Sequence, residues 1–123
     1  MNPEVKELWV NALLSGEYEQ GRERLVTEFP GAKDKYCCLG VLCELAPKGL
    51  AERAQALGYI GQDFIGGTSI CGTFPPDPVA EWAGIEFDIQ EKLAELNDGD
   101  ADKDVPVAPH SFAEIAQYIQ DNL

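Results

Sequence analysis

Tyr36-Cys37-Cys38-Leu39-Gly40-Val41-Leu42-Cys43-Glu44-Leu45-Ala46 is the stretch on which the reading of this chain turns. Glu44 is its single charged residue, in a chain of 123 residues with net charge -13. Leu39, Leu42, Cys43 and Ala46 follow the i, i+3, i+4, i+7 spacing of a helix, and the other faces are apolar or small as well. A helix with apolar residues all round is one enclosed by protein, so a buried central helix is predicted over residues 37–46. Gly40 costs such a helix about 1 kcal/mol relative to Ala. Close approach by another backbone is the return expected for that cost.

The rest of the chain reads as a shell around this axis. Asn2 is an N-cap and Pro3 fits the first helical position. Val5, Leu8, Trp9, Ala12 and Leu13 then give an amphipathic helix over residues 3–14, closed by Ser15-Gly16. Gln20 to Val26 and Lys33 to Tyr36 flank the turn signal Pro30-Gly31 and predict a short antiparallel hairpin leading into the central helix. Beyond Pro47, the spacing of Leu50, Ala54 and Leu57 predicts a helix over 49–57. Gln62 to Ile65 and Thr68 to Thr73, joined through Gly66-Gly67, predict a second hairpin. Pro75-Pro76-Asp77-Pro78 starts a short helix through Trp82 that Gly84 stops. Asp88 is expected to cap a further helix with Ile89, Leu93 and Leu96 buried, ending near Asn97-Asp98-Gly99. Ser111 and Glu114 form an S-x-x-E capping box for the last helix, whose apolar side is Phe112, Ile115, Ala116, Ile119 and Leu123. Gly99 to Pro109 reads as an acidic surface loop. The expected fold is α+β, a small single domain over residues 1–123 with five to six short helices around the central one and one or two β-hairpins.

Composition bounds the function. A hydrophobic content of 45% and a charged content of 25% are those of an ordinary globular protein. No apolar run approaches the roughly 18 residues of a membrane span, and Met1-Asn2-Pro3-Glu4 lacks the layout of a secretory signal. A cytoplasmic protein is therefore expected. Of the four cysteines, Cys37, Cys38 and Cys43 lie on the predicted central helix. Adjacent helical side chains diverge, so Cys37 and Cys38 are badly placed to pair, and reduced buried thiols are expected, Cys71 included. Residues 22–53 carry six cations against five acids, so the remainder holds -14 of the total of -13. A field of that sign repels nucleic acid and anionic membranes, and neither is expected as a direct partner.

Few residues are spaced for chemistry. Asp98, Asp100, Asp102 and Asp104 fall at positions 1, 3, 5 and 7 of a calcium-type loop, but Lys103 and Pro109 stand where that loop needs Gly and a bidentate Glu. The cysteines and His110 include no C-x-x-C pair, so no zinc, and no other cofactor, is expected. His110, the one histidine, precedes the Ser111 cap and has no nucleophile at recognisable spacing. The glycines at 58, 61, 66, 67 and 72 lack the order and the lysine of a phosphate cradle. Tyr59, Phe64 and Phe74 beside them suit a core or a ligand groove. The segment Tyr18 to Leu25 concentrates hydrogen-bonding and cationic side chains. On a strand, Tyr18 and Gln20 share a face, as do Arg22 and Arg24. With Tyr36 at the entrance to the central helix, these are the candidate ligand-binding residues, and a small anionic ligand is the class they suit. The plainer account is a charged edge strand that blocks aggregation.

Several segments, taken in order, carry a resemblance. They are Ser15-Gly16-Glu17-Tyr18 with Gln20-Gly21-Arg22, Tyr36-Cys37-Cys38-Leu39-Gly40-Val41-Leu42-Cys43, Pro78-Val79-Ala80-Glu81-Trp82, and Leu93-Ala94-Glu95-Leu96-Asn97-Asp98 with Ser111-Phe112-Ala113-Glu114-Ile115-Ala116. Together they resemble a family of small, mostly uncharacterised proteins of tailed bacteriophages and prophages. The resemblance covers most of the chain and carries no known reaction. It implies origin and fold; the function expected is that of a non-enzymatic accessory binding protein of phage type, acting in the cytoplasm of a bacterial host. Counter-defence would then proceed by sequestering a nucleotide immune signal near Arg22, Arg24, Lys33 and Lys35. The alternative is an acidic nucleic-acid mimic or masking protein that binds a host protein through Asp88, Glu91, Glu95, Asp98, Asp100, Asp102 and Asp104. A homo-oligomer with a pocket between subunits is compatible with either.

Overall fold

In a chain this acidic, apolar side chains leave water by gathering on one axis, and the predicted helix supplies it. The computed structural model describes residues 1–22, 24–27, 31–47, 50, 74–75 and 77–123. Among them the chain runs through α1 (Pro3–Leu14), β1 (Glu19–Gln20), β2 (Val26–Thr27), β3 (Lys35–Tyr36), α2 (Cys38–Leu45), α3 (Asp77–Ala83), α4 (Phe87–Asp98) and α5 (Phe112–Asn122). This is the expected α+β architecture. The predicted hairpin over 62–73 and, Leu50 apart, the predicted helix over 49–57 lie outside the described residues, as do Cys71, Tyr59 and Phe64.

Every residue of α2 from Cys38 to Cys43 is buried. α1 and α4 flank it, and α5 packs along α1 and against α4. Cys37 caps α2, its Sγ accepting from the Gly40 amide at 3.4 Å. Gly40 explains its own presence. A Cβ there would overlap the carbonyl oxygen of Leu25 and lie 2.6 Å from its carbonyl carbon. That same oxygen accepts from the Cys37 amide at 3.2 Å. The close backbone approach expected at Gly40 is thus made by the segment entering β2. On the other side, the buried Trp9 indole donates to the Cys38 carbonyl at 2.9 Å, tying α1 to the first turn of α2.

The sheet has the order β1-β3-β2. β2 pairs antiparallel with β3, Val26 opposite Tyr36 and Thr27 opposite Lys35, which is the predicted hairpin in shortened form. β1 pairs parallel with β3, Glu19 opposite Lys35 and Gln20 opposite Tyr36. The continuous strand expected over 20–26 is therefore broken. The Arg24 amide donates back to the Arg22 carbonyl at 2.8 Å in a bend, so Arg22 and Arg24 do not share a strand face. Gly21 permits the parallel pairing, because a Cβ there would sit 2.9 Å from the Lys35 Cβ.

Two helical details differ from expectation. In α1, Leu8 is 52% exposed and Val10 is buried in its place, because α1 is covered by both α2 and α5 rather than along one stripe. α4 begins two residues earlier than an Asp88 cap would allow. Glu86 holds the cap position without a side-chain bond, and Asp88 lies in the first turn, where its charge favours the helix dipole. The Ser111 capping box forms as read: Ser111 Oγ accepts from the Glu114 amide at 3.2 Å, and the Glu114 carboxylate accepts from the Ser111 amide at 3.1 Å. The 99–110 loop is closed by a bridge in which Asp100 and Val107 exchange backbone bonds of 2.8 Å.

Gly40→Ala therefore runs against helix propensity, which alone would favour it by about 1 kcal/mol. We expect a loss of at least about 3 kcal/mol in urea unfolding, since the obstacle is backbone. Gly16→Ala, at φ +78° with no atom within 4 Å of the added Cβ, is expected to lose only about 1–2 kcal/mol. The thiols supply a second check. Cys37, Cys38 and Cys43 are free and buried, and burial pushes Cys37 up to about 11 and the other two upward as well. In Cys71→Ser protein at pH 8, a thiol reagent should find no reactive cysteine until denaturant exposes three. Because unfolded thiols ionise near about 8.5, stability held below that pH should fall as the pH rises toward 11.

Candidate functional site

The predicted binding residues sit where β1 and β3 meet the start of α2, and the structure divides them. Gln20 is turned inward. Its amide nitrogen donates to Asn97 Oδ1 at 3.1 Å and to the His110 carbonyl at 2.7 Å. Asn97, fully buried at the end of α4, also accepts from the Cys38 amide at 3.1 Å and donates to the Gly21 carbonyl at 2.9 Å and to Asp98 Oδ1 at 2.8 Å. Gln20 is thus a tie between β1, α4 and the segment before α5.

Outside this tie lies a shallow cleft of about 290 Å³ lined by Gln20, Gly21, Arg22, Thr27 and Lys35. Arg22 there bonds back to the Gly21 carbonyl at 3.4 Å. Arg24 is exposed and is not among the residues lining that cleft.

Tyr18 and Tyr36 do come together. Their rings meet edge to face, with centroids 5.2 Å apart and planes at 89°. They line a separate cleft of about 380 Å³ with Glu17, Glu19, Ala32, Lys33 and Asp34. The Tyr36 hydroxyl reaches Glu44 Oε1 at 3.5 Å. Desolvation first, and the Glu44 carboxylate second, push the Tyr36 phenol up to about 12 and raise Tyr18 as well. Glu44 is itself raised, by desolvation and by Asp34. Three acids against one lysine make this an electronegative cleft, which opposes the anionic ligand expected for its tyrosines.

A second surface was not singled out from sequence beyond Phe74. Phe74 and Phe87 are both exposed, with ring centroids 5.0 Å apart. They open a cleft of about 630 Å³ together with Asp77, Ala80, Glu81, Ile85 and Glu86. Phe87 lies off the Ile89, Leu93, Leu96 stripe, a mismatch visible in the sequence. Residues 77–104 hold ten acids and two lysines, net -8, and both lysines go to one carboxylate: Lys103 at 2.6 Å and Lys92 at 4.0 Å from Glu95. Those contacts lower Glu95, the Lys103 hydrogen bond most.

Among the described residues no group of three or more His, Cys, Asp or Glu side chains is placed to hold a metal ion. In the 98–104 loop, Asp100 instead accepts from the Asp102 amide at 3.1 Å. Among the same residues no helix is long and apolar enough to cross a membrane.

Residues 1–123 match the family model described as a domain of unknown function (DUF8296), and the chain belongs to that family. No curated protein and no solved structure matches it.

The division of the site is measurable. Asn97→Leu would leave the Cys38 amide buried without its partner and the Gly21 carbonyl with only the long Arg22 contact, about 2–4 kcal/mol in all. Gln20→Ala should cost about 1–2 kcal/mol for its half-buried amide. Arg22→Ala and Arg24→Ala should stay within about 0.5 kcal/mol of wild type. Urea midpoints at constant slope would report all four.

Proposed function

We propose that this DUF8296 member is a non-enzymatic accessory binding protein that docks a positively charged protein partner on its α3–α4 face. The observation that carries this reading is an exposed aromatic pair set in concentrated negative charge. Phe74 and Phe87 offer apolar anchors, and Asp77, Glu81 and Glu86 line the same cleft. Interfaces of this kind take most of their affinity from a few desolvated aromatic side chains. The surrounding charge steers approach and selects partner sign. The net -8 of residues 77–104 acts over roughly the 8 Å Debye length of physiological salt. The resemblance to phage proteins supports a partner in the cytoplasm of a bacterial host.

A nucleotide-sequestering role has one observation in its favour: Arg22 and Lys35 line one cleft. Against it stand the small volume of that cleft and the engagement of the Gln20 amide with Asn97 and His110.

Affinity capture from bacterial lysate should recover a basic protein with wild type, with yield falling steeply as salt is raised. Phe87→Ser and the double variant Glu81→Lys/Glu86→Lys, each shown folded by circular dichroism, should lower that yield by at least about tenfold. Undiminished capture of the same protein by the charge-reversed variant would remove the reading. Calorimetry with linear and cyclic nucleotides is expected to give no heat. Micromolar binding abolished by Arg22→Ala would move the function to the β1–β3 cleft.

A further inference from the structure

The Tyr18–Tyr36 cleft is distinct from the α3–α4 face and has its own chemistry. Two tyrosine rings at 89° present π-faces at right angles. The negative face of an aromatic ring attracts cations, more strongly where water is partly excluded, and both tyrosines are half-buried. Glu17, Glu19 and Asp34 line the same cleft, and Glu44 stands at the Tyr36 hydroxyl. Lys33, the cation among the lining residues, makes no ion pair among the described residues, so the lining holds a net charge of -2. The upward shifts of Tyr18, Tyr36 and Glu44 are what partial desolvation beside these carboxylates produces.

We infer that this cleft is a recognition site for a guanidinium group, an arginine side chain stacked on the tyrosine pair with its N–H groups directed to the surrounding carboxylates. Three competing ligand classes fit less well. An anion meets three carboxylates and two neutral phenols. A divalent metal needs converging ligands, and the described acids form no such group. A quaternary ammonium uses the rings but leaves the carboxylates without a donor. A guanidinium uses both, because it is planar, stacks on aromatic faces and bonds carboxylates with a fixed fork of donors.

The experiment uses the full chain, labelled with nitrogen-15, and follows amide shifts on titration with four probes: N-acetyl-arginine methylamide, N-acetyl-lysine methylamide, tetramethylammonium chloride and ADP. The blocked arginine is expected to shift the amides of residues 17–19 and 32–36 with a Kd of about 1 mM or tighter, as suits one stacked, charge-assisted contact. Blocked lysine and tetramethylammonium should bind at least about threefold more weakly, and ADP should leave these amides unmoved. Tyr18→Phe, which keeps the ring, should retain the affinity. Tyr18→Leu and Asp34→Asn should each lower it about threefold or more. The inference is overturned if blocked arginine moves no amide of the cleft at about 50 mM, if its shifts fall on α3–α4 instead, or if tetramethylammonium binds as tightly. It is equally overturned if Tyr18→Phe loses as much as Tyr18→Leu, since the rings would then not be the contact. A further arm places the same arginine in a blocked Gly-Gly-Arg-Gly-Gly peptide: tighter binding than the single residue assigns the site to a protein side chain, and equal binding assigns it to the guanidinium alone.

Discussion

The fold depends on one buried carboxamide. Asn97 makes the four hydrogen bonds its side chain can make, accepting two at Oδ1 and donating two at Nδ2. Its partners are the side chain at the end of β1, the first amide of α2, the carbonyl of Gly21 and the neighbouring Asp98. Through Gln20 the network continues to His110, whose amide returns to the Leu96 carbonyl at 2.7 Å. Elements far apart in sequence are thereby held in one register. Each buried group left unpaired would cost about 1–3 kcal/mol, so the cost of removing a member rises with the number of partners it leaves behind. Among the described residues it is satisfied: no buried side-chain nitrogen or oxygen lacks a partner.

That constraint sets the surfaces. Asn97 draws Gln20 inward, while Tyr18 and Glu19 line a cleft with Tyr36 and Asp34 of the neighbouring strand and its approach. α2 is buried over Cys38–Cys43, so Glu44 emerges only at its end, next to Tyr36. Charge excluded from the axis accumulates on α3, α4 and the loop after them. Two aromatic and acidic clefts, one at the sheet and one at the α3–α4 corner, follow from the same segregation.

Local signals made most of the helical frame legible. The Asn2-Pro3 start, the absence of a polar face over residues 37–46 and the Ser111-x-x-Glu114 box each act within a few residues, and α1, α2 and α5 lie where those signals put them. The sheet was less legible because its strands are two residues long. Two residues carry no alternation, and the parallel β1–β3 pairing is fixed by Gly21 and Asn97, neither of which announces a strand. The candidate site divided for the same reason. Tyr18 and Tyr36 are brought together by a two-residue pairing between positions sixteen apart in sequence, whereas Arg22 and Arg24 fall in a bend that strand spacing could not foresee. Leu8 illustrates a smaller limit: helical period locates a face, but which side of α1 is covered is decided by α2 and α5 together.

Three of the strings on which the resemblance was read also supply residues to the buried frame. In Tyr-Cys-Cys-Leu-Gly-Val-Leu-Cys, Cys37 caps α2, Cys38 offers its amide to Asn97 and its carbonyl to Trp9, and Gly40 admits the Leu25 backbone. In Leu-Asn-Asp, Leu96 is buried, Asn97 is the hub and Asp98 accepts from it. In Ser-Phe, Ser111 caps α5 and Phe112 enters the core. At Cys37, Gly40, Asn97 and Ser111 the side chain, or its absence, is what the contact requires. A side chain held in a buried bond is unavailable to a ligand, so Cys37 and Asn97 act on the fold. Tyr36 and Glu44, at the two ends of the buried run, keep their side chains out of that frame and meet beside Tyr18.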